Sequence, residues 1–119
     1  RELCRDHGID VHLRGTLPEG AFILVANHVS YIDTLVLPSL LPSTCIAKRE
    51  VADWPAIGSV AEALGVLFID RGNPWSGALV LRRALRALES GLVVNNFPEG
   101  TTTAGDRLLP FKRGIFGLA

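Results

Sequence analysis

His28 and Asp33 are the residues of this sequence whose types and spacing best suit acid–base chemistry. A carboxylate beside an imidazole fixes the tautomer of the ring and stabilises the imidazolium that forms when the ring takes a proton. Five positions on a regular helix rotate a side chain by about 500°, so the two residues would not share a helix face. They can meet only if His28 lies in a turn and Asp33 lies in the first turn of the helix that follows.

The surrounding residues predict such a strand-to-helix junction. The apolar run 21–26 indicates a buried strand, and the apolar residues after Asp33 indicate a helix packed on the core. Ser30, three positions before Asp33, resembles the N-cap of a capping box. A purely structural interpretation is also open, in which Asp33 offsets the helix dipole and His28 is a hydrogen-bonded histidine in a turn.

A second polar segment, residues 95–103, follows another apolar run. Pro98 restricts the residue before it, and Gly100 permits backbone geometry that is closed to other residues. The backbone N–H groups and the hydroxyl of Thr101 could hold a phosphate or a polar headgroup, with Glu99 orienting a donor. The same residues are also typical of an ordinary turn.

Arginine and lysine residues offer local sites for an anion. Arg71 follows an apolar run that predicts a buried strand, and there its guanidinium could bind a phosphate with two N–H groups. The alternative is an ion pair with Asp70 or another carboxylate. The positive charges at Arg107, Lys112 and Arg113 are more typical of a solvated face.

The composition bounds the class of protein. The 119 residues are 48% hydrophobic and 20% charged, which is typical of one globular domain rather than of a disordered chain. The 12 basic and 12 acidic residues balance, so no global charge indicates a nucleic-acid partner. Two cysteines, Cys4 and Cys45, do not suggest a disulfide framework. Cys4, His7 and His12 match no standard metal-site spacing, and no apolar run reaches the roughly 18 residues of a membrane span.

Alternating strand and helix signals predict a single α/β domain with a largely parallel sheet flanked by helices. Strands are expected near residues 11–14, 22–26, 44–47, 66–69 and 92–94. Helices are expected over about 30–41, 55–64 and 74–90. The loops that follow parallel strands meet at one edge of a sheet, and four of these loops carry His28, Lys48, Arg71 and Glu99.

Three motifs in this order resemble those of the glycerolipid acyltransferase family, which includes the lysophosphatidate acyltransferases. The first, Asn-His-x-x-x-x-Asp, spans residues 27–33; the second, Gly-x-x-Phe-Ile-x-Arg, spans 65–71; and the third, Phe-Pro-Glu-Gly-Thr, spans 97–101. Residues 111–114, Phe-Lys-Arg-Gly, match the family's lead into a fourth motif. The resemblance therefore covers essentially the whole chain.

The resemblance implies an acyltransferase catalytic core over residues 1–119, acting in phospholipid biosynthesis. His28 would be the general base that deprotonates an acceptor hydroxyl, and Asp33 would hold and polarise the imidazole. The hydroxyl would attack the thioester of acyl-CoA or of an acyl-carrier protein, with no covalent acyl-enzyme, metal or cofactor. A lysolipid acceptor such as 1-acylglycerol-3-phosphate would be bound through its phosphate or headgroup by Arg71, Glu99, Gly100 and Thr101.

The third motif departs from the family pattern at one position. A basic residue commonly follows the threonine of this motif, whereas Thr102 and Thr103 stand here. Without that cation, a zwitterionic acceptor such as lysophosphatidylcholine, or a lyso amino-acid lipid, becomes a more plausible alternative to a phosphate monoester.

The sequence begins at Arg1 without a methionine and stops mid-pattern at Ala119, so a core truncated at both ends, without the fourth motif, is expected. Because the family's substrates are lipids, the resemblance implies contact with a membrane surface at its cytoplasmic face. Two other classes of function remain open. One is a lipid- or acyl-binding module without activity, and the other is a thioesterase or hydrolase in which the His–Asp pair activates water.

Overall fold

The computed structural model describes residues 2–118, and within them four parallel strands form one sheet. The strands are β1 (Ile23–Val25), β2 (Ser43–Lys48), β3 (Leu67–Ile69) and β4 (Val93–Asn96). Their order across the sheet is β1-β4-β2-β3. The terminal residues Arg1 and Ala119, on which the expectation of a truncated core rests, lie outside the described range.

Helices alternate with the strands along the chain and confirm the predicted α/β class. They are α1 (Glu2–Asp6), α2 (Asp33–Leu40), α3 (Ile57–Ala63) and α4 (Pro74–Glu89), with short 3₁₀-helices at Arg49–Asp53 and Gly114–Leu118. Helices α2, α3 and α4 each link one strand to the next along the chain, which is the connection that parallel strands require. None of the helices in residues 2–118 is long and apolar enough to cross a membrane.

The sheet brings the ends of its strands to one edge. β4 lies between β1 and β2, with Val25 opposite Asn96, and β3 extends the sheet with Ile69 opposite Lys48. Because every pair is parallel, the carboxyl ends of all four strands share this edge. The loops that begin there can therefore bring their side chains together, as the sequence predicts.

The core lies between β4 and α4. Val94 and Ala84 are fully buried, and Ile115 packs with them from the last 3₁₀-helix. Helix α4 begins where its sequence predicts, because the side-chain oxygen of Asn73 accepts the N–H of Trp75 at 3.0 Å. The helix thus presents its buried face to the centre of the sheet and leaves its arginines exposed.

Two elements differ from the sequence prediction. Residues 11–14 form no strand, because the segment pairs with no strand of the described sheet and alternation over four residues cannot supply a partner. Helix α2 begins at Asp33 rather than near Ser30. Ser30 Oγ accepts the N–H of Ile32 at 3.2 Å and its own N–H donates to Asp33, so Ser30 stays in the turn before the helix.

The segment formed by the first 3₁₀-helix and α3 is closely packed at Gly58. Gly58 is buried, and a Cβ added to it would overlap the carbonyl oxygen of Ala52. Just before α3, Ala56 has a φ of 62°, which is uncommon for a residue with a side chain. Close packing therefore fixes the path of the chain into α3.

The packing at Gly58 predicts that a glycine-to-alanine substitution has opposite effects on stability in α3 and in α4. Gly58→Ala is expected to lower the free energy of unfolding by about 1–3 kcal/mol, because the new methyl group must displace the Ala52 backbone. Gly77→Ala in α4 adds a methyl group with no atom within 4 Å, and better helix propensity should raise stability by about 0.5–1 kcal/mol. Urea unfolding followed by circular dichroism measures both. Equal effects would contradict the close contact.

Candidate active site

His28 and Asp33 meet at the carboxyl end of β1. His28 Nδ1 lies 3.0 Å from Asp33 Oδ2, and Asp33 is the first residue of α2. The same carboxylate oxygen accepts the backbone N–H groups of Val29 and Ser30, each at 3.0 Å. The geometry that the spacing requires, with the histidine in a turn and the aspartate in the first helical turn, is therefore present.

The surroundings keep Asp33 ionised. Partial burial by itself raises the pKa of Asp33, but the N–H groups of Ser30 and Val29, together with His28, outweigh it and lower the net pKa. With a carboxylate at Nδ1, the neutral imidazole carries its proton on Nδ1 and presents a lone pair at Nε2. No group within residues 2–118 hydrogen-bonds Nε2, so this nitrogen is available to take a proton.

The loop that follows β4 holds the backbone of His28 from both sides. The His28 N–H donates to Glu99 Oε1 at 3.4 Å, and the His28 carbonyl accepts the Thr103 N–H at 2.8 Å. The imidazole stacks on the ring of Phe97, with centroids 4.1 Å apart and planes inclined by 23°. These contacts restrict the rotation of the imidazole away from Asp33.

Arg71 and Gly100 are joined directly. Arg71 Nη2 donates to the Gly100 carbonyl at 3.0 Å. The alternative ion pair with Asp70 does not form, because Asp70 Oδ1 accepts the N–H of Gly72 at 2.9 Å and Arg71 has no ion pair within residues 2–118. The exposed guanidinium keeps N–H groups free for a ligand.

Lys112 is a residue of this site that sequence reasoning assigned to a solvated face. Its backbone N–H donates to the Pro98 carbonyl at 2.9 Å, which ties the segment after the third motif to the loop that carries Gly100. A Cβ added to Gly100 would lie 2.7 Å from Lys112 Nζ. The match of residues 111–114 to the family's lead into a fourth motif was the available signal, but it assigned Lys112 no role.

A cavity of about 660 Å³ opens beside these residues. Its polar lining includes His28, Arg71, Gly100, Thr101 and Lys112, together with Lys48 at the end of β2, which the sequence predicts at this edge. Its apolar lining comes from α2, the segment 51–66, α4 and strands β2 and β3, and includes Leu35, Val51, Trp54, Val60, Leu64 and Val80. A largely apolar cavity with a few polar groups at one end can take a lipid chain and orient its polar end.

Glu99 is placed differently from the other predicted site residues. It is 4% exposed, and it is absent from the described residues that line the cavity. Glu99 Oε1 accepts the His28 N–H, and Oε2 accepts the Leu109 N–H at 2.9 Å. Because a buried carboxylate needs hydrogen-bond partners, these contacts give Glu99 a role in positioning the two loops. Its contact with an acceptor stays a prediction.

Comparison with known proteins identifies the family. A sequence profile described as Acyltransferase matches residues 8–119. This chain belongs to the acyltransferase family. The resemblance carried by the three motifs is thereby confirmed, and the matched range includes all of the residues that line the polar side of the cavity.

Three similar proteins carry two kinds of name. The lyso-ornithine lipid O-acyltransferase of Pseudomonas aeruginosa is 41% identical over 109 residues, which are 92% of this chain and 42% of the relative. The 1-acyl-sn-glycerol-3-phosphate acyltransferase of Neisseria gonorrhoeae is 33% identical, and the match covers 93% of this chain and 44% of the Neisseria protein. The human 1-acyl-sn-glycerol-3-phosphate acyltransferase alpha is 38% identical, and the match covers 95% of this chain and 42% of the human protein. The chain thus spans less than half the length of these relatives. No solved structure matches the chain significantly.

The lowered pKa of Asp33 predicts a pH-dependent contribution to stability. The folded state holds this pKa below the unfolded value of about 4, so the charge stabilises the fold above that pH. This stabilisation is lost as the pH falls through the folded-state pKa. Asp33→Asn is therefore expected to lower the free energy of unfolding by about 1–3 kcal/mol near neutral pH.

Denaturant unfolding of both proteins across this pH range measures the effect. The difference between them should shrink as the pH falls below about 4. A difference that persists unchanged in acid would contradict stabilisation by the ionised carboxylate.

Proposed function

We propose that this chain is the catalytic core of a lysolipid O-acyltransferase, which moves a fatty acyl group from an acyl thioester to a lysolipid hydroxyl in lipid biosynthesis. The strongest support is the His28–Asp33 pair, 3.0 Å apart at the polar end of an apolar cavity. Membership of the acyltransferase family and the names of the relatives support the same reaction.

His28 acts as the general base. Its Nε2 takes the proton of the acceptor hydroxyl, and the hydroxyl oxygen attacks the carbonyl carbon of the thioester. The new C–O bond forms, the C–S bond breaks, and the proton passes from the imidazolium to the departing thiolate. Asp33 stabilises the imidazolium between these two transfers.

The acceptor hydroxyl itself is the nucleophile, so no acyl-enzyme forms. Cys45 lines the cavity, but burial raises the pKa of its thiol to about 11, which keeps it protonated and unreactive near neutral pH. This state of Cys45 supports direct transfer over a route through a cysteine thioester.

The acceptor headgroup binds at the polar end of the cavity through Arg71, Gly100 and Thr101. Glu99 does not line the cavity and contributes by holding the backbone of His28. The acyl donor is acyl-CoA or an acyl-carrier protein, both of which present the same thioester carbonyl. Because lipid acceptors lie in a bilayer, we place the protein at a membrane surface, on its cytoplasmic face. Exposed apolar side chains in and directly after α3 line the cavity and support this placement, namely Ile57, Val60 and Leu64.

Removal of the base is expected to abolish most of the transfer. In the full-length parent protein, His28→Ala should lower kcat by about 10²- to 10⁴-fold, because this is the usual contribution of a general base. The assay offers a radiolabelled acyl-CoA or acyl-carrier-protein donor to a panel of lysophosphatidate, lysophosphatidylcholine and a lyso-ornithine lipid. Circular dichroism and the Tm should match those of the unsubstituted protein.

A second histidine provides a matched control. His12 Nε2 also lies 3.0 Å from a carboxylate, that of Asp10, but both side chains are about 80% exposed and outside the cavity lining. His12→Ala should leave transfer unchanged. Retained activity in His28→Ala would remove the proposed base. Release of free fatty acid without an acceptor would instead identify a thioesterase, and lysolipid binding without turnover would identify a binding module.

A further inference from the structure

Two cations converge on Gly100 without a carboxylate partner. A Cβ added to Gly100 would lie 2.7 Å from Lys112 Nζ and 2.8 Å from Arg71 Nη2, so both nitrogens lie against the same side of this glycine. Within residues 2–118 neither cation forms an ion pair. The adjacent acid, Glu99, is buried, and both of its oxygens accept backbone N–H groups. Converging positive charges without a counter-charge attract an anion.

Backbone contacts, rather than chance side-chain positions, bring the two cations together. Arg71 Nη2 is anchored on the Gly100 carbonyl, and the Lys112 N–H is anchored on the Pro98 carbonyl. Gly100 has a φ of 73°, which favours glycine, and the missing side chain leaves the space that the two cations occupy. All three residues line the same cavity as His28.

We propose that Arg71 and Lys112 form a two-cation subsite that binds a terminal oxyanion of the acceptor headgroup. Lys112 supplies the second cation that the third motif lacks at Thr102. This subsite deepens the proposed acyl transfer, on which it rests, by defining the acceptor class. A phosphate monoester or a carboxylate satisfies two adjacent cations, since each accepts several charge-assisted hydrogen bonds. A phosphocholine would instead bring its own quaternary ammonium beside them.

The subsite changes one of the two alternatives that were drawn from Thr102 alone. That substitution removes a cation from the third motif, which made zwitterionic acceptors more plausible. The tertiary structure returns a cation to the same loop from Lys112, which favours a phosphate monoester or the carboxylate of a lyso amino-acid lipid over lysophosphatidylcholine.

Steady-state kinetics of the full-length parent protein separate this role from the chemistry. Lys112→Ala is expected to raise the acceptor KM roughly tenfold or more, with kcat and the donor KM little changed. Lys112→Arg should restore most of the acceptor affinity because it keeps the positive charge. Arg113→Ala is the control, since Arg113 is an exposed neighbouring cation that does not line the cavity.

A pair of glycine variants tests the geometry of the subsite. Gly100→Ala places a methyl group against both cations and should raise the acceptor KM as Lys112→Ala does. Gly91→Ala controls for backbone strain, because Gly91 also has a positive φ, 88°, but has no atom within 4 Å of an added Cβ. An acceptor KM that rises equally in both variants would overturn the proposed crowding of the cations.

The choice of acceptor distinguishes the source of the oxyanion. Lysophosphatidate presents a phosphate monoester, a lyso-ornithine lipid presents a carboxylate together with the ammonium of its side chain, and lysophosphatidylcholine presents neither a phosphate monoester nor a carboxylate. The Lys112→Ala effect should be large for at least one of the first two and small for the third. Equal effects on all three would overturn a subsite for a terminal oxyanion.

Failure of the subsite and failure of the proposed reaction give different results. If transfer proceeds and Lys112→Ala leaves the acceptor KM unchanged for lysophosphatidate and the lyso-ornithine lipid, the subsite is wrong and the reaction stands. If no acyl group is transferred, calorimetric binding of the same lysolipids still tests the subsite. Weakened binding in Lys112→Ala and competition by inorganic phosphate would support it, and unchanged binding would overturn it.

Discussion

The arrangement of the whole site depends on two hydrogen bonds to the backbone of His28. Its N–H donates to Glu99 and its carbonyl accepts from Thr103, so the loops after β1 and β4 are joined at His28, the proposed base. This union is possible because β1 and β4 are neighbours in the sheet, with Val25 opposite Asn96, and their loops begin side by side. The loop that orients His28 also carries Gly100. The positions of the proposed base and of the proposed headgroup site are therefore set by the same short segment.

Two carboxylates serve this arrangement in different ways because their surroundings differ. Glu99 is buried, and its oxygens are occupied by backbone N–H groups, so it acts on the structure. Asp33 is partly exposed, and its Oδ2 accepts two backbone N–H groups while contacting the imidazole of His28, so its negative charge is directed at the ring. The surroundings of each carboxylate therefore decide its role: Glu99 holds the loops in place, and Asp33 acts electrostatically on the imidazole. Sites built from two acids commonly separate their roles in this way.

The sheet separates polar from apolar parts of the site. The carboxyl edge supplies the imidazole and the cations, whereas the helices and parts of β2 and β3 supply the apolar lining of a cavity of about 660 Å³. The close contact between Gly58 and Ala52 fixes part of this apolar wall. An amphipathic acceptor would thus meet cations at its headgroup and apolar side chains along its chain. The position of His28 at the boundary between the two is what directs the proposed chemistry to the hydroxyl near the headgroup.

The sequence by itself determined the alternation of strands and helices and the meeting of His28 with Asp33, because hydrophobic patterning and a five-residue spacing act locally. It also indicated that Arg71 and the Gly100 loop would share one edge, since parallel strands leave no other arrangement. The strand predicted at residues 11–14 was wrong, because a strand needs a pairing partner that local alternation cannot specify. Only the tertiary structure decided the place of Lys112. Its approach to Gly100 arises from a return of the chain against the Pro98 loop, and no local pattern encodes such a contact.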